Sequence, residues 1–289
     1  MKRFFILASA AIVALASCAK TEVVYKDGPQ EIAFKQITGV MTKADLSSDY
    51  ALGVMANQNS NIYFTNTSFG HNGTNWTNTD VYWPYEGTLD FTVYAPYVDG
   101  ANYADNVLTI PSVTPGENVY YGVQRYVDTA KQDAVAVVLQ HVSAKILVNL
   151  NLTAGSLYTV NWLKLVGVNT QGTVNVQYGS PVTVTTTPGT VGDSSFIIND
   201  TDANTSGINL APVYVLPGDQ TKFTINFTQE NGDHDVTFTK DITLAAADVV
   251  WAANTAYTYN ISIANPDNIS FTATVNNWTT TSAVDKSVQ

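Results

Sequence analysis

The chain has a single cysteine, Cys18, so no disulfide can form within it. Its fold must therefore rest on hydrophobic packing and hydrogen bonds. Charged residues are also scarce, at 13% of the sequence, and the formal net charge is -11. Such a chain repels phosphate groups, and this argues against nucleic acid and anionic lipid head groups as partners.

Helical periodicity is nearly absent, and only Leu244–Ala253 suggests a short turn of helix. Strand-like segments instead recur about every 8 to 15 residues, a spacing typical of antiparallel sandwiches. In Leu89–Ala95, apolar and polar residues alternate, which predicts a strand with one buried and one solvated face. The polar stretch Asn66–Asp80 is predicted to be a long loop. The expected fold class is all-β.

The sequence offers no catalytic constellation. Its three histidines, His71, His141 and His234, are scattered, and no Gly-x-Ser-x-Gly motif occurs. Asp233-His234-Asp235 could suggest a metal site, but it directly follows Asn231-Gly232 and is better explained as the tip of a hairpin. The chain is therefore not expected to be an enzyme, and no metal or cofactor is expected.

A second acidic stretch has some features of a calcium-binding loop. Asp200, Asp202 and Asn204 alternate as in an EF-hand. Thr205 stands where that loop needs glycine, and Ala211 stands where it needs a bidentate carboxylate. These two departures exclude an EF-hand. Weak binding of a calcium ion by this acidic loop remains an alternative.

Four aromatic residues lie close together in the sequence: Trp76, Tyr82, Trp83 and Tyr85. Flat rings on a loop suit the faces of pyranose sugars, which gives one hypothesis, a glycan-binding platform. The alternative is that these rings cap the end of a sandwich core.

The first eighteen residues indicate where the mature protein resides. Lys2 and Arg3 precede the apolar run Phe4–Ala16, which is too short for a permanent membrane span. The run ends in Leu15-Ala16-Ser17-Cys18, which resembles the lipobox of bacterial lipoprotein precursors. The alternative is an ordinary secretory signal with a chance cysteine.

The lipobox resemblance implies cleavage just before Cys18 and a covalent diacylglycerol/palmitate lipid on this residue, with the diacylglycerol on its thiol. Two acyl chains suffice for lasting attachment to a membrane. The mature chain would keep 11 basic and 24 acidic residues, a net charge near -13. The expected location is the outer membrane, with the protein lipid-anchored and surface exposed, or in a fimbrium after processing.

Further motifs appear in a definite order along the chain. After the lipobox come Thr42-Lys43-Ala44, Tyr82-Trp83-Pro84, Leu89–Pro96, Leu139–Ile146 and Val275-Asn276-Asn277-Trp278. Together they resemble the fimbrillin family of Bacteroidota, which comprises type V pilins and their accessory lipoproteins. The resemblance covers essentially the whole chain.

The resemblance implies two tandem transthyretin-like antiparallel β-sandwich domains. The expected segments are a lipoprotein signal peptide at 1–17, a lipidated segment with a removable first strand at 18–43, an N-terminal sandwich at 44–132, and a C-terminal sandwich with a short tail at 133–289. An alternative boundary lies near Ala154-Gly155.

The resemblance also implies assembly by donor-strand exchange. A protease would remove a strand containing Ile32, Ala33 and Phe34 by cutting between Lys43 and Ala44, and a strand from another fimbrial subunit would fill the groove. The family usually has arginine at the cleavage site, so this chain needs a lysine-tolerant protease, or else the strand stays in place. The tail Thr279–Gln289 is a thin donor, because its apolar residues are few.

Two further expectations concern surface chemistry. Asp128-Thr129-Ala130 resembles the O-glycosylation tripeptide of this phylum, which makes Thr129 a candidate acceptor. The alternative to a fimbrial subunit is a non-polymerising surface lipoprotein that binds a glycan or a host or bacterial surface protein through the loops around Trp76 and Trp83.

Overall fold

A computed structural model describes residues 29–36, 48–116, 119–129, 133–152, 158–198, 207–219, 222–230, 234–243, 250–265, 268–277 and 284–286. Regular structure in this part of the chain is entirely β-strand, as the sequence predicts. Across these ranges no helix has the length and apolar character needed to cross a membrane.

The described residues form 22 strands. The first eleven are β1 (Glu31–Gln36), β2 (Leu52–Gln58), β3 (Asn61–His71), β4 (Trp76–Tyr82), β5 (Thr88–Ala95), β6 (Asn102–Ala104), β7 (Val107–Val113), β8 (Tyr120–Asp128), β9 (Val135–Val137), β10 (Gln140–His141) and β11 (Ala144–Leu152). The others are β12 (Tyr158–Gln177), β13 (Thr183–Phe196), β14 (Ile208–Asn209), β15 (Val213–Val215), β16 (Gly218–Asp219), β17 (Lys222–Gln229), β18 (Val236–Thr243), β19 (Val250–Trp251), β20 (Thr255–Asn265), β21 (Asn268–Asn277) and β22 (Val284–Lys286).

These strands form three large sheets and one small ladder. The first sheet has the order β10-β8-β5-β2-β3-β4-β1-β9. The second has the order β14-β11-β20-β21-β22, with β15 also on β11. The third has the order β18-β17-β12-β7-β6, with β13 also on β12, while β16 and β19 pair separately. Most pairs are antiparallel, but β1 runs parallel to β9, and β11 runs parallel to β20.

Three hydrophobic cores lie between the sheets. The first is built on β1, β2, β5 and their neighbours, and the third, at the C-terminal end, is built on β11, β12, β17 and β20. The middle core combines residues of β5, β7 and β8 with Val174 and Val176 of β12 and with Leu216. The 20-residue strand β12 thus enters two cores, since Leu163 and Leu165 near its start belong to the C-terminal one.

Strand β5 differs from its expected pattern. Leu89, Phe91 and Val93 are buried in the first core, as the alternation predicts. The expected solvated face is wrong, because Thr92 and Tyr94 are also buried. Tyr94 packs in the middle core, so β5 is covered on both faces.

The pairing of β9 and β10 bears on the predicted boundary at 132/133. β9 pairs with β1, and β10 pairs with β8, so both short strands lie in the first sheet. Val135, Val137 and Leu139 complete the first core. The chain enters the second sheet with β11 at Ala144, but β6 and β7 already lie in the third sheet beside β12, so the boundary at 132/133 stays a prediction.

Two local predictions are wrong. Most of Asn66–Asp80 is strand, since β3 runs to His71 and β4 begins at Trp76. The turn between them contains Gly73 at φ +98°, a conformation that favours glycine. The described end of the proposed helical turn, Val250–Trp251, is also a strand and pairs with β16.

Candidate assembly site

The first strand is held on both of its edges. β1 pairs antiparallel with β4, where Phe34 lies opposite Trp76. On the other edge it pairs parallel with β9, where Phe34 lies opposite Val135. Just before the strand, the Trp83 backbone N–H donates to the carbonyl of Gln30 at 2.9 Å. β1 is therefore an interior strand, although it is the first described element of the chain.

The side chains of β1 explain why it is retained in the sheet. Ile32 and Phe34 are 0% and 1% exposed, while Glu31 and Lys35 face solvent. Ala33 is half-buried, so the strand presents two large apolar side chains on one face. Burial of such side chains contributes roughly 1.5–3 kcal/mol each.

Phe34 lies at the centre of an aromatic cluster. Its ring centroid is 5.1 Å from that of Phe69, at an interplanar angle of 86°, and 5.1 Å from that of Phe91, at 89°. Trp83 makes a further edge contact with Phe91 at 5.9 Å. These T-shaped contacts place the slightly positive ring edges against the negative ring faces. A strand that replaced β1 would have to place an apolar side chain among the same rings.

Three of the predicted site residues lie outside the described residues. These are the lipidation candidate Cys18 and the processing pair Lys43 and Ala44. The three residues predicted for the removable strand, Ile32, Ala33 and Phe34, all lie in β1, and its removal stays a prediction.

Near the C-terminus, β22 (Val284–Lys286) lies at the edge of the second sheet. It pairs antiparallel with β21, Val284 being opposite Val275. This short ladder attaches part of the tail to the second sheet of its own chain. The tail is the segment predicted to be a weak donor strand.

The glycosylation candidate Thr129 is in a closed environment. Its side chain is 1% exposed, and its hydroxyl donates to the carbonyl of Gly87 at 3.0 Å. The backbone N–H of Thr129 donates to the same carbonyl at 3.2 Å. The hydroxyl is therefore inaccessible to a glycosyltransferase while this segment is folded.

The predicted aromatic platform does not form. Trp76 and Trp83 are 4% and 6% exposed and belong to the first core, so the glycan hypothesis is wrong for these two rings. The indole N–H of Trp76 donates to the carbonyl of Tyr50 at 2.9 Å, which fixes it inside. Tyr82 and Tyr85 are exposed, so the four rings do not share one surface.

The other candidate ligand sites receive no support from the described residues. His234 and Asp235 are exposed, and no group of three or more His, Cys, Asp or Glu side chains in the described part of the chain could hold a metal. Asp233, Asp200, Asp202 and Asn204 lie outside that part.

Arg125 is the one arginine of the described residues, and it lies in a paired strand. An irregularity in the β5–β8 ladder places it beside Asp90, with 3.4 Å between Nη1 and Oδ2. Its Nη2 also donates to the Tyr103 hydroxyl at 3.1 Å. The guanidinium group of Arg125 is therefore held by two partners, and the residue lies within strand β8.

Sequence reasoning missed the role of β9 in this site. The Val-Ala-Val segment at 135–137 was assigned to the second sandwich, whereas it supplies the parallel partner of β1. A local signal for this exists, because an apolar triplet next to a polar linker is equally typical of a short strand that ends the preceding sheet. The sequence does not encode which sheet it joins.

The family profile for fimbrillin-like proteins matches residues 35–278. The chain belongs to the fimbrillin-like family. It is therefore a fimbrial or adhesin-like protein of the cell surface and not an enzyme. No curated protein matches the sequence.

Solved structures with the same fold come from Bacteroides species. A candidate cell adhesion protein from Bacteroides uniformis is 20% identical, with a TM-score of 0.58 over 86% of this chain and 99% of that one. One from Bacteroides ovatus is 17% identical, with a TM-score of 0.54 over 87% and 98%. One from Bacteroides eggerthii is 12% identical, with a TM-score of 0.55 over 86% and 96%. At these identities the likeness concerns the fold of this fimbrillin-like chain.

Proposed function

We propose that this fimbrillin-like chain is a structural or accessory subunit of surface fimbriae, and that it joins neighbouring subunits by exchange of β1. The observation that carries the proposal is the position of β1 between β4 and β9, with Phe34 in the first core. In this fold β1, which precedes the proposed cleavage site, is an interior strand of the first sheet.

Loss of β1 would leave two kinds of unsatisfied surface. The facing edges of β4 and β9 would each lose backbone hydrogen bonds. Phe69, Phe91 and Val135 would line an apolar slot that is open to water. A strand from a second subunit would satisfy both at once, and head-to-tail repetition of that contact would give a filament.

The neighbours of β1 define the strand that would replace it. A donor must run antiparallel to β4 and parallel to β9, which fixes its direction. It must carry two apolar side chains, two residues apart, at the positions of Ile32 and Phe34. The tail around Val284–Lys286 has no pair of apolar residues with this spacing, and it would first have to leave β21, so the better donor is another fimbrial subunit.

Processing and anchoring complete the proposal. Cleavage between Lys43 and Ala44 would separate β1 from β2, and the released strand would carry the lipid on Cys18 with it. If the bond stays intact, the same chain is a basal or accessory subunit held at the outer membrane. Other fimbrial subunits are the partners in both cases.

The test is limited digestion of the purified full chain with a lysine-specific protease, at a low ratio of protease to substrate. We expect a new N-terminus at Ala44 by mass spectrometry and, after release of the first strand, filaments by electron microscopy. The Lys43→Ala variant is the matched control and should give neither. A chain that is cut at Ala44 but stays monomeric after release of β1 would contradict strand exchange.

A further inference from the structure

The outer face of β12, β17 and β18 forms a polar surface on the far side of the C-terminal core. Alternate residues of these strands, such as Leu163, Ile225 and Phe227, point into that core. The residues between them lie on the opposite face: Asn161, Trp162, Lys164, Thr224, Asn226, Thr228, Thr237, Thr239 and Asp241. None of these strands pairs with β1, so this surface is separate from the strand-exchange site.

The amide and hydroxyl groups of this face hold one another in place. Asn161 Nδ2 donates to Asn226 Oδ1 at 2.7 Å, and Asn226 Nδ2 donates to Thr239 Oγ1 at 2.8 Å. The hydroxyls of Thr228 and Thr237 are 3.2 Å apart. Their side-chain conformations are therefore largely fixed before any ligand arrives, which lowers the entropic cost of binding.

One aromatic ring lies in this polar field. Trp162 is partly exposed, whereas Trp76, Trp83 and Trp251 are buried in cores. Ile197, which is 69% exposed, follows Phe196, and Phe196 pairs with Leu163. The pairing register thus places the exposed residue Ile197, just after the end of β13, near Trp162 of β12.

A cation lies over the ring. Lys164 Nζ is 4.8 Å from the centroid of the Trp162 ring, within the range of a cation–π contact. Among the described residues no carboxylate forms an ion pair with Lys164. Asp241, on the same face, is already bound by Lys222 Nζ at 2.6 Å and by the Thr224 hydroxyl at 2.7 Å.

We propose that this face binds an acidic glycan, with the carboxylate of a uronic acid residue paired with Lys164. The ammonium group, which lies over the Trp162 ring, pairs with the carboxylate, and the sugar packs against the partly exposed indole. Asn226 and Thr239 offer amide and hydroxyl groups to the sugar hydroxyls. The net charge of -11 opposes a polyanion at long range, so the attraction is local and comes from Lys164, for which the described residues supply no ion pair.

The test is calorimetric titration of the purified full chain with a tetragalacturonide, alongside the same oligosaccharide with its carboxylates methyl-esterified. We expect binding of the acid form and at least tenfold weaker binding of the ester, since a hydrogen bond to a charged group typically contributes that much. Lys164→Met and Trp162→Phe should each weaken binding of the acid form about tenfold.

The matched control is Lys145→Met, which removes another lysine beside an aromatic ring, 6.0 Å from Tyr214, on a different sheet. It should leave binding unchanged, and all variants should keep the unfolding temperature of the parent chain. Equal affinity for acid and ester, unchanged binding by Lys164→Met, or no binding of the acid form would each overturn the proposal.

Discussion

The indole N–H of Trp251 donates to the hydroxyl of Tyr259 at 3.0 Å inside the C-terminal core. Both side chains are 1% exposed, so neither polar group has water as an alternative partner. Burial raises the pKa of Tyr259, and the hydrogen bond from Trp251 offsets only part of this effect. The hydroxyl therefore stays protonated and acts as the acceptor for Trp251 at neutral pH.

Replacement of Tyr259 by Phe should destabilise the fold by about 1–3 kcal/mol, because it leaves the Trp251 N–H buried without its acceptor. Urea unfolding followed by circular dichroism measures this difference. The matched control is Tyr63→Phe, since Tyr63 is exposed and its hydroxyl donates to a backbone carbonyl near the surface. That change should cost less than about 0.5 kcal/mol. Equal losses in the two variants would contradict the assigned role of Tyr259.

Gly53 lies beneath the ring of Tyr94, and a Cβ at this position would overlap that ring. The ring cannot easily move away, because the Tyr94 hydroxyl lies 2.6 Å from Asn66 Oδ1 and 2.9 Å from the Val98 carbonyl oxygen, one of which accepts its proton, and it accepts from the Val98 N–H at 3.2 Å. Gly53→Ala should therefore destabilise the fold by about 1–3 kcal/mol through overpacking. Gly70→Ala is the control, since a Cβ there meets nothing within 4 Å. Thermal unfolding of both variants checks the prediction, which is wrong if Gly53→Ala matches Gly70→Ala.

Phe34 should contribute more to stability than any exposed residue of β1. Truncation to Ala removes its contacts with Phe69 and Phe91 and leaves a cavity, which typically costs 3–5 kcal/mol. Lys35→Ala, at the exposed next position, should stay within about 0.5 kcal/mol of the parent. Guanidinium unfolding of the uncut chain measures both. A small effect of Phe34→Ala would mean that β1 contributes little to the first core.

Stability should fall in alkali because several tyrosines are buried. Burial raises the pKa of Tyr121 from 10.0 to about 12, and its hydroxyl donates to Gln140 Oε1 at 2.7 Å. Between pH 10.0 and about pH 12 the unfolded chain loses the Tyr121 proton while the folded chain keeps it. The free energy of unfolding therefore decreases as pH rises through this range. Urea unfolding at a series of pH values tests this. Tyr121→Phe should reduce the slope, and an unchanged slope would contradict the assignment.

An arginine-specific protease should leave the folded chain uncut at Arg125. A protease needs an extended, unpaired segment, whereas Arg125 lies within β8 and is held by Asp90 and Tyr103. Mass spectrometry after digestion should find the Arg125 bond intact in the native chain and cut in urea. Cleavage of native chain at Arg125 would mean that β8 opens readily.

The sequence predicted strands well where apolar residues alternate, as in Leu89–Ala95. It could not predict that both faces of β5 are buried, because the cover of Tyr94 comes from Leu108, Val174 and other residues distant along the chain. It also missed β4 and the second half of β3, since their Thr and Asn side chains resemble a loop. Those segments are strands because β1 and β2 offer backbone partners, which local pattern does not reveal.

The candidate site was predicted in part. Ile32 and Phe34 were correctly expected in a strand, on the strength of a family resemblance, but the parallel contact with Val135 was not. The indole rings of Trp76 and Trp83 could be predicted to be either exposed or buried, and only the folded core decides between these outcomes. Trp162 was not singled out, because its neighbours Lys164 and Asn226 come together only through strand pairing.

The 20-residue strand β12 has a mechanical consequence. Its first half is paired with β17, its second half with β7, and β13 runs along most of its length. A pull along the axis of β12 would load these ladders in shear, so many hydrogen bonds would have to break together. The same continuous backbone would resist bending between the C-terminal and middle cores.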